Sequence, residues 1–117
     1  MLGGGFEGTG VVYRVDAARQ ETVLYSFVGG GLLNPSGVIR DSSGNLYGTT
    51  SGGGTAFVGV VFKLDAAGNE TVLYNFTGGT DGSEPSAGVI QDSDGNLYGT
   101  TYGGGKGEGG VVFKIVP

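Results

Sequence analysis

Apolar residues in this chain come in short runs, each closed off by glycine, asparagine or aspartate. In order around one period, the runs are Gly88-Val89-Ile90-Gln91, Asn96 to Thr101, Val60-Val61-Phe62-Lys63-Leu64 and Thr71 to Phe76. They are rich in Val, Ile, Tyr, Phe and Thr, which is strand composition, and the polar punctuation between them is hairpin chemistry. No window carries a helical period. Alternation puts Val60, Phe62 and Leu64 on one face with Val61 opposite, and Val72, Tyr74 and Phe76 on one face with Leu73 opposite. Apolar side chains on both faces predict sheets covered on both sides.

The runs recur. Gly37 to Thr50 reads GVIRDSSGNLYGTT and Gly88 to Thr101 reads GVIQDSDGNLYGTT, identical at twelve of fourteen positions. GVVYRVD at Gly10, GVVFKLD at Gly59 and GVVFKIV at Gly110 are spaced by 49 and 51 residues, and ETVLYSF at Glu21 and ETVLYNF at Glu70 by 49. A fixed period with a small indel in one connection marks a repeat architecture. A four-stranded unit of this length, covered on both faces, predicts an all-β chain of β-propeller-like blades of four antiparallel strands. A β-solenoid is the competing repeat, but its coils are shorter and lack such regular hairpins.

The chain holds about two and a quarter repeats of 49–51 residues. The predicted division is 1–27, a partial blade with the third and fourth strands; 28–76, a complete blade; and 77–117, a partial blade with the first three. In each blade the short first strand is expected innermost. Nine strands in this order cannot close a ring alone. The chain is therefore expected to be a piece of a longer protein, or to form a homo-oligomer through its blade faces. At two blades per chain, one third-type strand is left over.

Glycine is the commonest residue, 28 of 117, and its regular placement between runs reads as turn chemistry. The net charge of −5 with no basic cluster argues against nucleic acid as a partner. No apolar run approaches the ~20 residues of a membrane-spanning helix, and no signal peptide is visible after Met1-Leu2. Cysteine and histidine are both absent. This excludes disulfides, thiolate metal sites, cysteine nucleophiles and a Ser-His-Asp triad, and no cofactor is expected.

The unit GVVFKLDAAGNETVLYNF…GVIQDSDGNLYGTTYGGG resembles the tandem repeat of bacterial choice-of-anchor tandem-repeat GloVer-containing proteins, over Gly3 to Val116. Through DSDGNLYG it is also distantly similar to NHL-type propeller blades. The resemblance implies a β-propeller-like protein, secreted or anchored at the bacterial surface. It supplies no catalytic residues.

Some residues could carry chemistry. Asp92, Asp94 and Asn96 space oxygens like the opening of a calcium loop, but glycine comes early and no glutamate closes it. The equivalent turn, Asp41-Ser42-Ser43-Gly44-Asn45, lacks the middle carboxylate, and Asp65 to Asn69 is similar; hairpin capping is the simpler reading of all three. Gly52-Gly53-Gly54 and Gly103-Gly104-Gly105, the latter followed by Lys106, lack the helix a phosphate cradle needs and read as rim loops with positive φ. Asp81, Glu84 and Glu108 are the loop carboxylates from which a glycan-active enzyme would draw a pair; solvated loop charge is the alternative. Asn75-Phe76-Thr77 is a glycosylation sequon inside a strand, read as chance. Most aromatics recur at repeat positions and read as core. Tyr102 does not recur, and it is the rim residue that could stack on a glycan or a peptide. The leading expectation is a non-enzymatic scaffold or binding module.

Overall fold

The computed structural model describes residues 10–26, 33–56, 58–85, 87–107 and 109–117. They form nine strands and no helix: β1 (Val11–Val15), β2 (Glu21–Ser26), β3 (Leu33–Arg40), β4 (Leu46–Gly52), β5 (Val60–Leu64), β6 (Glu70–Asn75), β7 (Ile90–Gln91), β8 (Leu97–Thr100) and β9 (Val112–Ile115). All pair antiparallel in three sheets, ordered β1-β2, β3-β4-β5-β6 and β7-β8-β9. Strands adjacent in sequence are adjacent in space, which is what tight hairpin turns between short runs impose. The three sheets have two, four and three strands. Gly3 to Gly5 and Phe27 lie outside the described residues.

The sheets are layered, and both faces of the central sheet are covered. On one face, Val60, Phe62 and Leu64 are buried against Val12 and Tyr25 of the first sheet, with Leu46 beside them. On the other, Tyr47, Val61 and Phe76 meet Val89 and Leu97 of the third sheet, joined by Ile39, Leu73, Tyr74, Phe113 and Ile115. The two contacts use the same repeat positions. Val12 and Tyr25 correspond to Val61 and Tyr74, and Leu46, Phe62 and Leu64 correspond to Leu97, Phe113 and Ile115. Each sheet thus lays one kind of face, here called the front, on the opposite kind, the back, of the next.

Strict alternation fails at one repeated position. Val61 pairs with Tyr74 but Phe62 pairs with Val72, so Leu73 is an extra residue on β6. The same bulge on β2 leaves Leu24 between Tyr25 and Val23. A bulge resets the side-chain parity. Leu73 therefore packs with Tyr74 and Phe76 in one cluster, and Val72, expected on their face, turns to the other side and stays partly exposed.

Gly48 of β4 and Gly99 of β8 let the sheets close over aromatic rings. A Cβ on Gly48 would lie 3.0 Å from Phe62 Cζ, and one on Gly99 2.5 Å from Phe113 Cζ. The second threonine after each glycine, Thr50 or Thr101, is buried, and its hydroxyl is used within the loop. Thr50 Oγ1 donates to Gly52 O at 2.9 Å and accepts from Val60 N at 3.3 Å; Thr101 does the same with Gly103 O and Val111 N, at 2.9 and 3.0 Å. Thr49 faces the next layer, where its hydroxyl donates to Ala87 O at 2.8 Å.

The first strand of the central sheet is not short. β3 has eight residues, whereas its counterpart β7 has two. In the later copy the longer connection loops out over Thr77 to Gly82, and among the described residues the upper pairing is reduced to the bridge Ser83–Gly103 and the bond from Tyr102 N to Glu84 O. Among the described residues no helix is long and apolar enough to cross a membrane.

Candidate functional site

The hairpin turns are built the same way each time. Asp41 Oδ1 accepts the backbone N–H groups of Ser43 and Asn45, both at 2.9 Å, while Oδ2 accepts Asn45 Nδ2 at 3.0 Å and the Tyr47 hydroxyl at 2.9 Å. Gly44 supplies the left-handed residue, φ 88°. Asp92 repeats this with Asp94 N, Asn96 N, Asn96 Nδ2 and Tyr98 Oη, and Asp65 repeats it with Ala67 and Asn69. Asp16 accepts Ala18 N and Gln20 N, but Arg19 takes the left-handed position there, φ 64°.

These donors hold the carboxylates in their charged form. The Asn45 amide, with help from Tyr47 and the turn backbone, holds Asp41 down to about 2. Asp92 is lowered chiefly by the Tyr98 hydroxyl, and Asp65 by the Asn69 backbone and side chain. In return Asp92 pushes the Tyr98 phenol up, and burial with the Asp41 contact does so for Tyr47.

The calcium-loop pattern takes a different form in three dimensions. Asp92 and Asn96 come together, yet through an Asn96 amide donating to Asp92, so two oxygens do not converge. Asp94 is exposed on the turn and contributes its backbone N–H. Among the described residues no three acidic side chains cluster. In the glycine clusters, the second and third glycines take positive φ, 83° at both Gly53 and Gly54, and 74° and 81° at Gly104 and Gly105. Gly59 N donates to Gly53 O and Gly110 N to Gly104 O, which closes each loop on itself.

The loop carboxylates part ways. Asp81 is not solvated loop charge. It accepts the Tyr74 hydroxyl at 2.7 Å and the Thr77 backbone N–H at 3.0 Å, together with the Thr77 hydroxyl. Burial opposes its ionisation, but the Thr77 and Tyr74 donors prevail and lower it. Glu84 is exposed with φ 55°, and its main chain bridges Val58 O and Tyr102 N. Glu108 lies outside the described residues. No described contact joins Asp81 to Glu84. Asn75, of the sequon, ends β6 with its Oδ1 accepting Thr55 N at 3.1 Å. Tyr102 stands 79% exposed, and its backbone N–H donates to Glu84 O at 3.1 Å.

Two grooves lie where the outer sheets are incomplete relative to the central one. The larger, about 440 Å³, sits on the back of the central sheet between Tyr13, Leu24, Val38, Arg40, Leu46 and Leu64. The smaller, about 310 Å³, runs along β9 over Tyr74, Phe76 and Asp81. Beside them Val112 is 80% and Ile90 69% exposed on the front of the third sheet. The repeat arithmetic signalled unfinished sheets, but it did not reveal the groove residues Val38, Arg40 and Leu46.

No curated protein and no solved structure matches the chain. The model of the Gloeobacter/Verrucomicrobia repeat matches residues 1–117. With that match over its whole length, and with the same turn, glycine and threonine devices recurring at one period, the chain belongs to the Gloeobacter/Verrucomicrobia repeat family.

Proposed function

We propose that the chain is a non-enzymatic β-propeller module, a scaffold or binding surface that completes its ring with further copies of the same repeat. The observation that carries this reading is the sheet-on-sheet contact. Front on back occurs twice within the chain. The back of the central sheet around Val38 and Leu46, and the front of the third sheet, with Val112 and Ile90, are the same two mates left uncovered. A contact between unlike faces propagates until rotation closes it, and stacked four-stranded blades close at roughly four to eight. Exposed apolar faces of this kind are interaction surfaces.

The non-enzymatic part is supported by how the acidic groups are used. Asp41, Asp65, Asp81 and Asp92 each spend their oxygens on their own loop. At the rim, Tyr102 offers an exposed ring suited to stacking on a glycan or a peptide. Light scattering is the test. The expected mass is that of two or more chains of 11.7 kDa, and a folded monomer at micromolar concentration would overturn the reading. Turnover of a glycan that is lost on changing Glu84 would overturn its non-enzymatic part.

A further inference from the structure

We propose that in the assembled protein β2 of one copy adds to the free edge of β9 of another, so that β7, β8 and β9 of one chain and β2 of the next form one four-stranded sheet. This rests on the ring-completing reading and names the strand that does it.

The two outer sheets are complementary halves. β9 repeats the sequence of β5 with Ile115 in place of Leu64, and β5 carries β6 on the edge that β9 leaves without a described strand. The groove beside β9 is floored by Tyr74 and Phe76, so a strand laid there would have an apolar bed. The first sheet has no described counterpart of β3 and β4, and the groove over Val38 and Leu46 lies where they would cover the central sheet. Joining the halves fills both grooves at once. β2 enters the one along β9, and β7 and β8 bring Ile90 and Tyr98 over Val38 and Leu46 of the other copy.

The ladder for this pairing is already present twice. β5 and β6 pair Val61 with Tyr74, Phe62 with Val72 and Lys63 with Thr71. β1 and β2 pair Val12 with Tyr25, Tyr13 with Val23 and Arg14 with Thr22, with the bulge at the same place. β9 offers β2 the same register: Val112 with Tyr25, Phe113 with Val23 and Lys114 with Thr22. Val112 would then occupy the position that Val12 holds in the existing contact.

One third-type strand must give way, and the packing selects β1. The third strand's ring lies against the glycine of the second strand. Phe62 and Phe113 fit there with Cζ 3.0 and 2.5 Å from the would-be Cβ of Gly48 and Gly99. Tyr13 would place a hydroxyl on that Cζ, where the fit is already closest. β9 therefore stays on β8, and β1 is released from β2.

The chain has no cysteine, so cross-linking is clean. Thr22 and Lys114 are both exposed, and directly opposed strand residues lie within disulfide reach. Thr22→Cys and Lys114→Cys proteins are mixed, oxidised and weighed by mass spectrometry. A mixed disulfide dimer in excess of both homodimers is expected. The control is the Arg14→Cys/Thr22→Cys double variant, whose positions oppose each other in the β1–β2 ladder; in the assembled fraction it is expected to stay largely reduced. If the control closes within one chain and no mixed dimer forms, while light scattering still shows an oligomer, the strand placement is wrong and ring completion stands. A monomer by light scattering sinks both.

Discussion

Tyr13, Phe62 and Phe113 hold the same repeat position in three sheets, and their surroundings differ. Phe62 is fully buried, because the first sheet covers it. Phe113 is half-buried beside the groove along β9. Tyr13 is 49% exposed, with no described layer over it. The ladder positions and the bulge are the same, so local sequence does not account for the contrast. What differs is the next layer. Burial in a stacked repeat is conferred by the neighbour, and a repeat with an uncovered face keeps the consensus residues without their stabilisation.

The largest test of that contrast truncates all three rings. Phe62→Ala is expected to cost about 3–5 kcal/mol, the usual range for deleting a buried aromatic. Phe113→Ala should cost less, and Tyr13→Ala least, in denaturant melts at one protein concentration. A Tyr13→Ala cost equal to that of Phe62→Ala would break the comparison, since it would mean a layer covers β1.

Next come the glycines beneath the rings. Gly48→Ala meets Phe62 and also Val38 Cγ1 at 2.9 Å; overpacking of this sort costs about 1–3 kcal/mol. Gly99→Ala is expected to cost as much in the assembled protein, where β2 of another copy fills the groove along β9 into which Phe113 would otherwise move. Equal losses would show that the groove is filled in solution.

A smaller effect separates the turns. Arg19 bears about 1–2 kcal/mol of left-handed strain that Gly44, Gly68 and Gly95 avoid. Arg19→Gly relieves it but restores up to ~1 kcal/mol of unfolded-chain entropy. The net expectation is a gain of under ~1 kcal/mol in thermal melts, and a loss would contradict it.

The smallest is acid sensitivity. The lowered carboxyl of Asp41 contributes stability above its unfolded pKa, roughly 3.9, and loses it as pH falls through its folded value of about 2. Asp65, Asp81 and Asp92 act in the same direction. Burial instead raises Glu70, whose Oε2 has no hydrogen-bond partner among the described residues, so its contribution is lost as pH rises through its folded pKa. Asp41→Asn should flatten the acid limb of a stability titration; an unchanged limb would show that these turns are not its source.

Much of the fold was legible in the chain, because its determinants are local. Asp, Gly and Asn at fixed spacing make the turns from contacts within five residues, and short apolar runs between such turns have little choice but antiparallel meanders. The turn reading of Asp92 to Asn96 and the positive φ of the paired glycines follow from the same locality. Residues whose roles depend on distant partners were not legible. Leu73 changes face because of a bulge against Val61, and Asp81 is tied to Tyr74 across its loop. β7 is shortened by a connection that loops away. Val38 and Leu46 line a groove because no described strand lies beyond β1 in the sheet above them. The sequence by itself determined the strands, their turns and their period. The packing of the sheets decides which faces are covered, since a side chain's burial depends on the layer opposite, and nothing within its own strand encodes that layer.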